Sequence, residues 1–286
     1  MLCVLASVRT FSQHSVSKID RFLSEEFPQQ QPGAVVLIAR GDSVLDRKAV
    51  GDVNSDMVFQ IASMTKQFTA AAIAVLARDG KLRIDEPIQK YIEFPVKGKI
   101  ITIEHLLSHT SGIPDFFDLD ESEKHLLTKK HTPEQLIAYF KDRPLDTISS
   151  YSNSNYVLLG AIIEKASGVP YSRFLDETFF KPFGMDHTSN WYETNDNIAI
   201  GHPNVAIDGS VVFASGSIVS TVDDLFTWTR SWVANNPGLY QQPGYFYGMN
   251  VKELQGSRTL QHGGNLYGFT SSGIYLPSEK VFVCIL

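Results

Sequence analysis

The chain has 286 residues, of which 43% are hydrophobic and 20% charged, and a net charge of −6. That length and composition allow a large core, in one domain or two interleaved ones, and exclude a disordered chain. The acidic balance argues against a nucleic-acid partner, which needs concentrated positive charge, and no apolar run reaches the roughly 18 residues of a membrane helix. The two cysteines, Cys3 and Cys284, lie at opposite ends and form neither a disulfide framework nor a zinc pattern. At the N-terminus, Leu2-Cys3-Val4-Leu5-Ala6-Ser7-Val8 is a short apolar run. It reads as the tail of a secretory signal peptide over residues 1–13, implying a periplasmic or secreted protein, or as the first element of the mature chain.

From Val16 to Phe27 the apolar residues fall at a helical period. Ala34–Ala39 is a β-branched apolar run typical of a buried strand, and Val44–Val50 pairs back on it across Gly41-Asp42. Ser63 opens an apolar helix that Gly80 closes. Thr102, Thr132 and the Ser220-Thr221 pair cap further helices, and Gly168 stops one that runs over Asn155–Ala166. Pro170–Phe180 reads as one more helix, and Asn235–Gly244 as a long loop. The basic cluster from Lys124 to His131 reads as a solvated face. Thr259–His262, Phe269–Tyr275 and Val281–Leu286 are strand-like. Strands thus occupy both ends and helices the middle. The fold class expected is mixed α/β: a sheet built from both termini, flanked by helices, with a helical insertion.

The chemistry centres on Ser63-Met64-Thr65-Lys66. Residues at i and i+3 share a helix face, so the Lys66 amine can lie beside the Ser63 hydroxyl. A serine hydroxyl needs a base to become a nucleophile, and a lysine in apolar surroundings has the lowered pKa that suits it to the task. A second copy of the pattern, Ser15-Val16-Ser17-Lys18, lies on a polar stretch, so the spacing alone is not diagnostic. Tyr151-Ser152-Asn153, on a loop before a helix, offers a proton relay and an amide. His262-Gly263-Gly264 ends a strand where glycines admit a substrate close to the backbone, and the N–H of Asn265 beyond it can complete an oxyanion hole with that of Ser63. Taken singly, the second and third motifs also fit plain capping and a hairpin bend. His105 and His109 are four apart, but no Glu follows His105 and no third ligand is evident, so no metal is expected.

In order and spacing these motifs resemble the serine β-lactamase and penicillin-binding protein superfamily. The class C-like branch, with its D-alanyl-D-alanine carboxypeptidases, D-aminopeptidases and esterases, is the nearest in pattern. His105-Leu106-Leu107-Ser108-His109-Thr110-Ser111-Gly112-Ile113-Pro114 is similar to a signature of that branch. The resemblance implies a β-lactamase/transpeptidase-like fold: an α/β sandwich of residues 14–62 and 212–286 and a mainly helical domain of 63–211, with the site between them. It implies Ser63 as acylated nucleophile and Lys66 with Tyr151 for the proton work. Asn153, His262, Gly264 and Asn265 would hold the substrate and its oxyanion, and the His109 stretch would be architectural. Phe116, Phe117, Tyr267 and Phe269 flank the motifs as candidates for an apolar acyl pocket. The implied activity is a serine hydrolase on ester or peptide-like amide substrates, without metal or organic cofactor. The alternatives are a class C-like β-lactamase and a slowly deacylating penicillin- or cell-wall-binding sensor. His262 stands where many β-lactamases and peptidases have a carboxylate-binding lysine, which counts against efficient β-lactam hydrolysis. Relatives also continue past the strand ending here at Leu286 into a helix that covers the sheet. Oligomeric state is open.

Overall fold

Ala34–Arg40 (β1) is apolar at nearly every position because both its faces are covered. Val36 and Ile38 pack under Phe22, Leu23 and Phe27, while Val35, Leu37 and Ala39 face the main core. The computed structural model describes residues 21–23, 25–27, 32–96, 98–118, 124–191, 198–201 and 207–286. The apolar run within 1–13, read as a signal remnant, lies outside the described residues. β1 is joined by a hairpin to Ser43–Val50 (β2), the polar edge strand.

On the other side of β1 the sheet is completed from the C-terminal end of the chain. Gly244–Phe246 (β6), Met249–Leu254 (β7), Ser257–Leu266 (β8), Phe269–Leu276 (β9) and Val281–Ile285 (β10) run antiparallel in the order β2-β1-β10-β9-β8-β7-β6. A small second sheet joins Phe59–Gln60 (β3), Ser189–Asn190 (β4) and Ile218–Ser220 (β5) in the order β3-β5-β4. The expected sheet of both termini is therefore present. Two of its strands lie outside the sequence reading, because β7 buries only Met249 and Val251 among polar neighbours.

Between the two halves of the sheet come the helices. They are Lys66–Arg78 (α1), Ile103–Leu107 (α2), Pro133–Phe140 (α3), Asn153–Ser167 (α4), Tyr171–Leu175 (α5), Lys181–Phe183 (α6), Phe213–Gly216 (α7) and Val222–Trp228 (α8). Thr102 and Thr132 each close a capping box, Thr221 caps α8, and Gly80 and Gly168 take the left-handed conformation expected at helix ends. The expected single helix after Pro170 is interrupted by a π turn at Asp176–Phe180, and α8 runs into another at Thr229–Val233. Both turns deliver aromatic side chains to one cluster. Trp228 lies 4.3 Å from Phe68, 5.3 Å from Phe179 and 5.8 Å from Trp232 between ring centroids. Of the basic cluster, His131 is not solvated. It is buried, with Nε2 3.0 Å from the Tyr139 hydroxyl. No helix among the described residues is long and apolar enough to cross a membrane.

Candidate active site

Ser63 does not sit inside α1. It lies in a 3-10 turn, Ala62–Thr65, directly ahead of it. The turn starts at Ala62 with φ +47, a conformation that costs a non-glycine residue energy and persists only when its surroundings impose it. β8 imposes it. The strand continues through His262-Gly263-Gly264 to Leu266 instead of stopping at the glycines, and it passes hard against this turn. A Cβ on Gly264 would stand 2.4 Å from the Ile61 carbonyl oxygen and 2.8 Å from the Ala62 Cβ. From the next strand, the Ser271 hydroxyl donates to the same Ile61 carbonyl at 2.8 Å. Gly264→Ala is therefore expected to destabilise the protein by about 1–3 kcal/mol and to lower turnover at least tenfold by displacing Ser63. Urea unfolding and initial rates on one substrate check both effects.

Lys66 is fully buried. Its Nζ donates to Ser63 Oγ at 3.0 Å, to Asn153 Oδ1 at 2.7 Å and to the Ser215 carbonyl at 2.8 Å. The rings of Tyr151 and Tyr156 lie 4.9 and 5.5 Å from it. Burial pushes the amine down to about 7, against the upward pull of Asp115. An amine with that pKa is half neutral at physiological pH and can take a proton from the hydroxyl it touches.

The Tyr151 hydroxyl hydrogen-bonds to Ser63 as well. The residue is 43% exposed, and its hydroxyl end is the part turned inward. Burial of that end pushes the phenol above its ordinary value, more than the Ser63 hydrogen bond lowers it. Tyr151 therefore holds its proton in the resting site. Of the groups touching Ser63, Lys66 is the one whose amine can be neutral near pH 7.

Asn153 is the first residue of α4 rather than part of the preceding loop. Both ends of its amide are engaged: Oδ1 accepts from Lys66, and Nδ2 donates to Asp115 Oδ2 at 2.8 Å. His262 is buried, with Nδ1 donating to the Gly263 carbonyl at 2.5 Å and Nε2 accepting from the Tyr245 hydroxyl at 2.9 Å. Burial and the nearby Lys66 push it down to about 3, so it is neutral. Its ring is 6.4 Å from that of Tyr151. Gly264 and Asn265 lie on the part of β8 beyond Gln261, where pairing with β7 has ended and only β9 continues alongside.

Asp115, Tyr245 and the Ser215 carbonyl are absent from the sequence reading. Only Asp115 carried a signal, as the residue after the Gly112-Ile113-Pro114 turn. His109 packs its ring 4.3 Å from Tyr151, and its Nδ1 accepts from the Ser152 N–H at 3.1 Å. Of the four aromatic residues proposed for an acyl pocket, Phe117 alone packs with the Ala62, Val212 and Leu266 cluster beside Ser63, together with Trp191. Phe116 belongs to the main core, Phe269 lies against Gly201, and Tyr267 is exposed. His105 is spent on the Thr102 capping box.

A sheet that pairs the first strands of the described chain with its last ones, and a Ser-x-x-Lys turn wedged between β8 and a helical region, define a β-lactamase-like fold. The chain belongs to the beta-lactamase family, whose model matches residues 19–286. It is 34% identical over 177 residues to penicillin-binding protein 4* of Bacillus subtilis, covering 56% of this chain and 38% of that protein. It is also 29% identical over 277 residues to PbpX of the same organism, named for penicillin binding, covering 87% and 67%. The chain thus spans about two fifths of the first relative and two thirds of the second. Among solved structures, the octameric penicillin-binding protein homologue of Pyrococcus abyssi superimposes with a TM-score of 0.81 at 25% identity, over 94% of this chain and 72% of that one. The D-amino acid amidase of Ochrobactrum anthropi gives 0.81 at 23% identity, over 93% and 91%, a likeness of fold.

Proposed function

We propose that this chain hydrolyses an ester or peptide-like amide through an acyl-enzyme on Ser63. The observation that carries the proposal is the buried Lys66 amine, lowered to about 7, at 3.0 Å from Ser63 Oγ. Ser63 Oγ forms the new bond to the substrate carbonyl carbon as its proton passes to neutral Lys66. The N–H groups of Ser63 and Asn265 receive the developing oxyanion. As the tetrahedral intermediate collapses, Tyr151 protonates the leaving alcohol or amine and regains a proton from Lys66. Water then cleaves the acyl-Ser63 ester by the reverse proton route, releasing the acid. Asn153 serves this scheme by orienting Lys66, and neutral His262 by shaping the wall of the cleft.

Because the base must be neutral, activity rises with pH through the Lys66 titration. The expected kcat/KM profile on a p-nitrophenyl ester has an acid limb centred near pH 7 and falls about tenfold per unit below it. A profile flat down to pH 5 would count against Lys66 as base.

The wall beside Ser63 is apolar, from Ala62, Phe117, Val212, Leu266 and Trp191, and His262 is uncharged. These features favour a substrate with an apolar acyl group over one anchored by a carboxylate. A second reading is favoured by the relatives named for penicillin binding: slow deacylation, with a long-lived penicillin adduct. Initial rates on a p-nitrophenyl ester and a D-amino acid amide, beside a fluorescent-penicillin gel, separate the two. Product beyond one equivalent per chain supports the hydrolase; a persistent adduct with no such product supports the penicillin binder.

A further inference from the structure

Asp115 lies on the loop between α2 and α3, yet its carboxylate reaches the start of α4. Oδ2 accepts from the Asn153 backbone N–H at 3.1 Å and from Asn153 Nδ2 at 2.8 Å, and Oδ1 accepts from the Phe117 N–H at 3.0 Å. The residue at the ordinary capping position, Ser152, makes no side-chain cap bond, and its buried hydroxyl has no partner. A carboxylate from a distant loop has taken over the cap.

The consequence falls on the Asn153 amide. A primary amide has a donor end and an acceptor end. With Nδ2 committed to a carboxylate, which can only accept, Oδ1 must face the Lys66 amine, as it does at 2.7 Å. Turned over, the amide would set its own NH2 against that donor. Lys66 is otherwise faced by uncharged groups: Ser63, the Ser215 carbonyl, the Tyr151 and Tyr156 rings, and the neutral His109 and His262.

We propose that Asp115 is a positioning residue for the Ser63 chemistry: it locks the Asn153 carbonyl onto Lys66 and supplies the negative charge that this buried amine feels. The inference rests on the acyl-enzyme reading above. It goes beyond a helix cap, because a cap needs only an acceptor oxygen, whereas this role needs the charge.

Asp115→Asn separates the two, since it keeps an acceptor for Asn153 and removes the charge. Asp115→Ser, which also caps helices well, replaces it should the amide variant not fold. Two quantities are read in the full-length protein: the acid limb of kcat/KM on a p-nitrophenyl ester, and the titration midpoint of Lys66 by lysine-selective 13Cε NMR. Losing the carboxylate destabilises the ammonium form, so both should move to lower pH by about one unit. Asp115→Ala should also lower kcat about tenfold at every pH, because the amide is then free to turn. Variants with an unmoved midpoint and limb reduce Asp115 to a cap and overturn the proposal. The NMR midpoint needs no turnover, so it judges Asp115 even where Ser63→Ala shows that the acyl-enzyme reading itself fails.

Discussion

Ser63→Ala should lower turnover of a p-nitrophenyl ester by at least about 10⁴-fold, and Lys66→Ala should cost nearly as much. The two losses should not add. Lys66 touches Ser63 Oγ directly, and an oxygen without its base, or a base without its oxygen, leaves the same unreactive pair. The double variant should therefore be no slower than either single one by more than about threefold. Circular dichroism and a thermal melt establish that each variant is folded. Multiplicative losses in the double variant would mean that Ser63 and Lys66 act in separate steps. Ser63→Ala removes only a hydroxyl and should fold as the parent does. Lys66→Ala removes a buried amine whose three partners include the Ser215 carbonyl and Asn153, so its melt is the more informative control.

The largest expected effect on stability lies away from the chemistry, at Trp228. It is 1% exposed, with Phe68 of α1, Phe179 of one π turn and Trp232 of the other around its ring, and its indole N–H donates to Gln67 Oε1 at 3.3 Å. It thereby ties α8, which packs on the sheet, to the helix that starts behind Ser63. Trp228→Ala should cost about 3–5 kcal/mol, since several aromatic elements meet there and cannot all collapse into the vacated space. The buried Gln67 oxygen also loses its donor. Urea unfolding followed by circular dichroism measures the loss. A cost below about 1 kcal/mol would show that the cluster does not hold these layers together.

Much of this was readable from residue order, for local reasons. β1 declares itself through an unbroken apolar run because it is covered on both faces. Several helix starts declare themselves through Thr102, Thr132 and Thr221, whose hydroxyls bond within their own first turn. Ser63 and Lys66 are three apart in sequence and needed only a helical turn to meet. What sequence did not reveal depends on approach between distant segments. Gly263 and Gly264 looked like a strand end, but the strand runs on, because glycine is there to admit the Ile61–Ala62 turn. Tyr245 became a partner of His262 through a three-residue strand with no pattern of its own. Asp115 is one acid among many until the fold carries it 38 positions along the chain to Asn153. The π turns likewise answer to packing around Trp228 and leave no mark in the helical periodicity.

In the proposed mechanism substrate carbon becomes bonded to Ser63 Oγ. Intact-mass measurement of the protein quenched during turnover of a p-nitrophenyl ester, or after exposure to a fluorescent penicillin, tests it most directly, with the modified residue located by peptide mapping. A single added acyl group is expected, carried by the peptide containing Ser63 and absent from Ser63→Ala. An adduct that persists in Ser63→Ala, or full turnover by that variant, would contradict it.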